Sequence, residues 1–305
     1  MLKDLDTFTK NIKGKIRLNY NLKNHTWLNI GGNAKIFFVP ETLAELREFL
    51  VYLKKNNNDF FLLGAGSNLL ISENIQNRIF IKLGKNFNKI SLMNDNIVIA
   101  GCSILDKNVS DFATNNNLSG LEFLSCIPGS VGGAIIMNSG CYGEEISDIL
   151  ISIKVIDLKG NIQEIKKDKI NFIYRGTNLP KDLIILSAKF HAKQGDKNLI
   201  NNKIKKYIKE KKDAQPSQIK TCGSTFKNPK NKKAWELIKN SNGNLLSFGK
   251  ASISKKHSNF FVNEGGASSN DIEKLIYFVR QNVFEKYKIN LDLELKIIGE
   301  NIDNE

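Results

Sequence analysis

Ile127-Pro128-Gly129-Ser130-Val131-Gly132-Gly133-Ala134 sets three glycines behind a rigid proline, and Asn138, Gly140, Tyr142 and Gly143 follow closely. Glycine loses more backbone entropy on ordering than any other residue, so a merely structural loop rarely holds so many. Backbone wrapped around a bulky anionic ligand does need them. A second loop, Gly64-Ala65-Gly66-Ser67-Asn68, follows the apolar run 60–63 and adds hydrogen-bond donors at Ser67 and Asn68. It is not a Rossmann fingerprint, because Leu69 stands where the third glycine belongs and no periodic helix follows. Alone, this loop reads as a strand-end turn. Beside the first, it reads as half of a cradle for a dinucleotide.

Outward from these loops, hydrophobic periodicity predicts the framework. Leu43, Leu46, Leu50 and Leu53 mark one amphipathic helix, with Thr42 and Glu45 as its capping box. Ile272, Leu275, Ile276, Val279 and Val283 mark another, with Asn270 and Glu273 as its start signal. Ile200, Ile204 and Ile208 mark a third, rich in lysine. Strands are expected at 35–39, 60–63, 79–82, 97–100, 151–157, 162–165, 183–191 and 293–298, with Lys159-Gly160-Asn161 as a hairpin turn. Helices and strands alternate without the rhythm of a doubly wound sheet, so the class is α+β. The lysine-rich helix, followed by Gln215-Pro216, is the expected domain boundary.

At 305 residues the chain is long enough for two or more domains, and 41% apolar with 25% charged residues is ordinary for a folded protein. No apolar run reaches the ~18 residues that span a bilayer, and the opening residues lack a signal-peptide core. A cytoplasmic protein without membrane association is expected. The net charge of +14 admits anionic partners, but the lysines are scattered among Asn and Ile. The run from Lys203 to Lys212 is read as a solvated face. Cys102, Cys126, Cys141 and Cys222 form no CxxC pair, and with His25, His191 and His257 they give no metal-ligand spacing. Free thiols and no metal are expected.

Read together and in order, the motifs resemble the UDP-N-acetylenolpyruvoylglucosamine reductase (MurB) family. Asn29-Ile30-Gly31-Gly32 comes first, then Gly64–Asn68 with Leu69-Leu70-Ile71. Gly120-Leu121-Glu122 leads to Ile127-Pro128-Gly129, Asn138 and Tyr142-Gly143. Tyr174-Arg175, the run Gly223-Ser224-Thr225-Phe226-Lys227-Asn228-Pro229, His257-Ser258-Asn259-Phe260 and Leu291-Asp292-Leu293-Glu294 complete the set. The shorter subtype fits better, since only Gln194-Gly195-Asp196 lies between Lys193 and the lysine-rich helix. Departures from the family pattern are Cys126, Cys141, Trp27, Thr177 and Lys250.

The resemblance implies a two-part FAD-binding module of the PCMH, vanillyl-alcohol-oxidase type over residues 1–195, split near 85–90. A substrate-binding α+β domain over 196–305 would follow. It implies non-covalent FAD, NADPH as hydride donor, and UDP-N-acetylglucosamine enolpyruvate as substrate in peptidoglycan precursor synthesis. Gly64, Gly66, Ser67, Asn68, Pro128, Gly129, Ser130, Gly132, Gly133, Asn138, Tyr142 and Gly143 would hold the cofactor. Tyr174, Lys227 and Asn228 would meet the substrate. Arg175, Ser224 and Glu294 would be catalytic: a planar cation for the enolate, a proton donor, and a carboxylate that polarises the enolate or a water. A monomer is expected.

Two other readings stay open on the sequence alone. An oxidase on the same flavin module would use a different C-terminal domain and often a covalent flavin. A basic nucleic-acid-binding protein would use the positive balance, but leaves the glycine loops unexplained.

Overall fold

Runs of alternating apolar residues form the strands of this chain, and leucine or isoleucine at helical spacing forms its longer helices. The computed structural model describes residues 12–75 and 77–299. In order, the elements begin β1 (Lys15–Asn21), β2 (Asn33–Val39), α1 (Leu43–Lys55), β3 (Phe60–Leu62), β4 (Leu69–Ile71), β5 (Ile79–Ile81), β6 (Ile90–Met93) and β7 (Ile97–Gly101). Next come α2 (Asp106–Asn115), α3 (Val131–Ile136), β8 (Leu150–Ile156), β9 (Ile162–Lys166), β10 (Ile184–His191) and α4 (Lys197–Ala214). The last are β11 (Thr221–Ser224), α5 (Ala234–Asn240), β12 (Ala251–Ile253), β13 (Phe260–Asn263), α6 (Ser269–Tyr287) and β14 (Lys296–Ile298).

These elements form two compact units that interleave along the sequence. The first takes residues up to Leu18, Ile36–Ala65 and Ile79–Glu210; the second takes Asn19–Lys35, Gly66–Arg78 and the chain from Lys211 onward. Leu28, Ile30 and Leu70 share a core with Phe226, Phe261 and Leu295, which draws early segments into the second unit. The crossing between Glu210 and Lys211 falls inside the lysine-rich helix α4.

The first unit holds a four-stranded sheet in the order β1-β2-β5-β3 and a five-stranded sheet in the order β9-β8-β10-β7-β6. In the former, β5 runs parallel to both β2 and β3. Parallel neighbours need a crossover, and α1 lies between β2 and β3 in the chain. Its Leu46, Phe49, Leu50 and Leu53 are buried, and Phe49 packs on Phe38 of β2 at 4.4 Å between ring centroids. Thr42 caps α1 as expected, accepting from the Glu45 amide at 3.2 Å. The Glu45 carboxylate does not return the bond to Thr42; it takes the amides of Lys13, Gly14 and Glu41. The hairpin at Lys159-Gly160-Asn161 joins β8 and β9, with Ile156 facing Ile162 and Gly160 at φ +80°.

The second unit holds a four-stranded sheet, β11-β13-β12 and then Ser247–Phe248, backed by α5 and α6. A parallel pair, β14 with β4, sets Lys296 opposite Leu69. Two expected boundaries move. Helix α6 begins two residues earlier than Asn270 and Glu273 suggest, because Ser268 and Asp271 form the reciprocal capping box. The expected strand 293–298 is split: Leu293 bridges Phe226, and only Lys296–Ile298 pairs with β4. Among the described residues, no helix is long and apolar enough to cross a membrane, and no cluster of His, Cys, Asp or Glu is placed to hold a metal ion.

Candidate active site

In the first unit, the two glycine loops meet at Gly64 and Ser130. A Cβ at Gly64 would lie 2.8 Å from the Ser130 hydroxyl oxygen, so a larger residue there would force that hydroxyl to move. The Gly64 carbonyl accepts from the Lys82 ammonium at 2.6 Å, and burial lowers that lysine's pKa. The segment after Pro128 is stitched to residues 102–106. Asp106 N–H donates to Gly129 at 3.1 Å, Val131 N–H to Ile104 at 3.0 Å, and Gly132 N–H to Cys102 at 2.9 Å. Gly132 also packs on Cys102, where a Cβ would sit 3.3 Å away. Ser130 is buried, whereas Pro128 and Gly133 face solvent.

Asn138 and Tyr142 are engaged within the protein. Buried Asn138 donates to the Glu145 carboxylate at 2.9 Å and to the Ile173 carbonyl at 3.3 Å. Tyr142 stacks on Tyr207 at 4.4 Å and 11°, and its hydroxyl donates to the Tyr207 carbonyl. Tyr174 and Arg175 form the tip of a hairpin in which Ile173 pairs with Gly176. Arg175 sits at φ +57°, a left-handed conformation that costs a non-glycine residue about 1–2 kcal/mol. Its guanidinium donates to the Gly140 carbonyl at 3.0 Å and lies 4.9 Å from the Tyr174 ring centroid.

In the second unit, Gly66 has φ +71°, and a Cβ there would fall 1.9 Å from the His25 carbonyl oxygen. Asn68 spans two neighbours: its amide donates to the Glu294 carbonyl at 2.9 Å, and its carbonyl accepts from Lys296 at 3.1 Å. The segment after Ser224 ladders with that around Glu294. Thr225 accepts from Glu294 at 2.9 Å and Leu295 at 3.2 Å, and Lys227 donates to Asp292 at 2.8 Å. Ser224 and Glu294 thus stand on paired segments, both half-buried. Buried Asn259 secures this ladder by bonding both backbone groups of Phe226. Asn228 accepts from the Ala234 amide at 3.0 Å, at the start of α5. His257 Nδ1 accepts from the Asn259 amide at 3.3 Å, its ring packs on Phe260, and burial lowers its pKa.

The local engagement of three residues here carries no sequence signal. Lys82 directly follows β5, at a strand end where a lysine usually meets solvent. Asn259 acts through a distant backbone. Asp106 is fully buried at the start of α2, neither carboxyl oxygen has a hydrogen-bond partner among the described residues, and burial raises its pKa well above the usual range.

A flavin fits this arrangement, because a side chain at position 64 would fill the space beside the Ser130 hydroxyl. The family model of the FAD binding domain matches residues 34–166. The chain is an FAD-dependent oxidoreductase. The model of the UDP-N-acetylenolpyruvoylglucosamine reductase C-terminal domain matches residues 215–298. Reductases of that name from Pelagibacter ubique and Rickettsia prowazekii are 45% and 44% identical, covering 97% and 94% of this chain and 99% and 97% of their own. The crystal structure of the reductase (MurB) from Thermus caldophilus superposes with a TM-score of 0.81 at 30% identity, covering 94% of this chain and 99% of that one. The chain belongs to the UDP-N-acetylenolpyruvoylglucosamine reductase family.

Proposed function

We propose that this protein reduces UDP-N-acetylglucosamine enolpyruvate to UDP-N-acetylmuramate, with NADPH as electron source, in the synthesis of peptidoglycan precursors. Support comes from the ladder that sets Ser224 and Glu294 on adjacent segments, in a chain similar over nearly its whole length to reductases of that name. Flavin-binding within 1–195 and substrate-binding within 196–305, action as a monomer, and a cytoplasmic location belong to the same proposal.

Bound FAD supplies the hydride that reaches the methylene carbon of the enolpyruvyl group. Negative charge then builds on the neighbouring carbon and its carboxylate. Arg175 meets that carboxylate with a planar, permanently charged fork. Ser224 delivers the proton to the carbon, and Glu294 polarises the enolate from the paired segment. A serine is a weak acid, so the strong basicity of the carbanion must drive this transfer. Tyr174, Lys227 and Asn228 hold the sugar nucleotide. Gly64, Gly66, Ser67, Asn68, Pro128, Gly129, Ser130, Gly132, Gly133, Asn138, Tyr142 and Gly143 line or brace the cofactor cradle.

The test is anaerobic NADPH oxidation with and without the enolpyruvyl sugar nucleotide. Sustained oxidation only when that nucleotide is present is expected. Sustained oxidation that ignores the nucleotide, or none in its presence, contradicts the proposal.

A further inference from the structure

Lys203 lies in the lysine-rich run of α4 but is not part of a solvated face. Its ammonium is 3.2 Å from the Glu122 carboxylate, which is only 3% exposed, and 2.8 Å from Glu144. Burial alone would lower its pKa, yet the bonds to Glu144 and Glu122 outweigh that and hold it above the usual lysine range. One turn along α4, Tyr207 donates to the other oxygen of Glu144 at 3.3 Å and stacks on Tyr142.

Two of these partners of α4, Tyr142 and Glu144, sit on one small hairpin. Gly140-Cys141 pairs with Glu144-Glu145 around the tip Tyr142-Gly143, whose φ values of +56° and +83° are those of a tight two-residue turn. The far end of this hairpin grips the Arg175 turn twice. The Gly140 carbonyl takes the guanidinium at 3.0 Å, and Asn138 joins the Glu145 carboxylate to the Ile173 carbonyl. A two-residue tip with a strained Arg175 keeps its conformation only where neighbours over-determine it.

We propose that Lys203 and Tyr207 are positioning residues: α4 fixes the guanidinium of Arg175 through the hairpin 140–145. This rests on the proposed catalytic role of Arg175. The bonds described end on the Arg175 hairpin, and Asn138 and Tyr142 also brace the proposed cofactor cradle, so the two half-reactions are measured separately. Misplacing a catalytic group by a fraction of an ångström costs about tenfold or more in rate.

The experiment separates the two half-reactions by stopped flow, using purified flavoproteins of wild type, Tyr207→Leu, Lys203→Met, Lys203→Arg and Arg175→Ala. Flavin reduction by NADPH is expected to stay within about twofold in all the α4 variants. Reoxidation by the enolpyruvyl nucleotide is expected to slow about tenfold in Tyr207→Leu and Lys203→Met, and to recover in Lys203→Arg. Amide hydrogen exchange across 140–145 and 174–177 is expected to quicken in Tyr207→Leu. Tyr207→Phe, which keeps the ring stack and loses the Glu144 bond, serves if the leucine variant does not fold. Wild-type reoxidation in the α4 variants, with Arg175→Ala slow, overturns the positioning role and leaves the catalytic reading standing. Normal reoxidation by Arg175→Ala overturns both. Parallel loss of both half-reactions together with flavin also overturns the proposal, since it marks general destabilisation.

Discussion

The peptide N–H of Glu294 donates to the carbonyl of Thr225 at 2.9 Å, which places the carboxylate-bearing residue on the segment paired with that of Ser224. With Ser224 as proton donor, Ser224→Ala should retain flavin and its reduction by NADPH, while turnover of the enolpyruvyl nucleotide drops by about two to four orders of magnitude. Stopped-flow spectroscopy on the variant measures both. Turnover within a few-fold of wild type would assign the proton to another group.

Asn68 also engages this segment, donating to the Glu294 carbonyl and accepting from the Lys296 amide. Replacing it with leucine removes the Asn68 donor from the half-buried Glu294 carbonyl. Asn68→Leu should cost about 1–2 kcal/mol in urea unfolding and lower kcat more than it raises KM. A variant that changes only the affinity for flavin would show that Asn68 serves the cofactor and not Glu294.

At the crossing of the two loops, Gly64→Ala pushes a methyl against the Ser130 hydroxyl at 2.8 Å. Flavin binding should weaken about tenfold or more, which is roughly 1.4 kcal/mol. The same change in a Ser130→Gly background should cost less, with an interaction of about 0.5–3 kcal/mol between the sites. Fluorescence titration of apoprotein with FAD checks it. Additive losses would mean that the two loops do not constrain each other.

Asp106 carries a folded-state pKa raised by burial above its ordinary value near ~4. The folded state therefore holds a proton that the unfolded chain has released, and stability falls as pH rises from the ordinary aspartate range through the raised pKa. Asp106→Asn should flatten that decline and be more stable than the wild type at alkaline pH. Urea melts from pH 4 to 9 follow the trend. A parallel decline in the variant would place the pH dependence elsewhere.

The glycine loops and the order of the motifs were legible because glycine and proline act locally, on their own backbone. Helices with a wide apolar stripe, such as Leu46 to Leu53, were legible for a similar reason. Helix α2 was not: Asp106-Lys107-Asn108-Val109-Ser110 offers a single apolar residue, and its burial comes from neighbours distant in sequence. The same limit hid the pairing of Thr225 with Glu294 and the engagement of Asn68. Lys203 looked like its exposed neighbours because nothing local distinguishes a lysine facing Glu122 and Glu144 from one facing water. The interleaving of the two units was hidden too, since Leu28 and Leu70 are apolar in any environment and only the fold assigns them a core.

The sharpest measurement is an anaerobic titration of the purified yellow protein. NADPH should bleach the flavin absorbance, and added UDP-N-acetylglucosamine enolpyruvate should restore it one-for-one with formation of UDP-N-acetylmuramate. A folded protein that takes up no flavin, or whose bleached flavin does not respond to the enolpyruvyl nucleotide, would contradict the assignment.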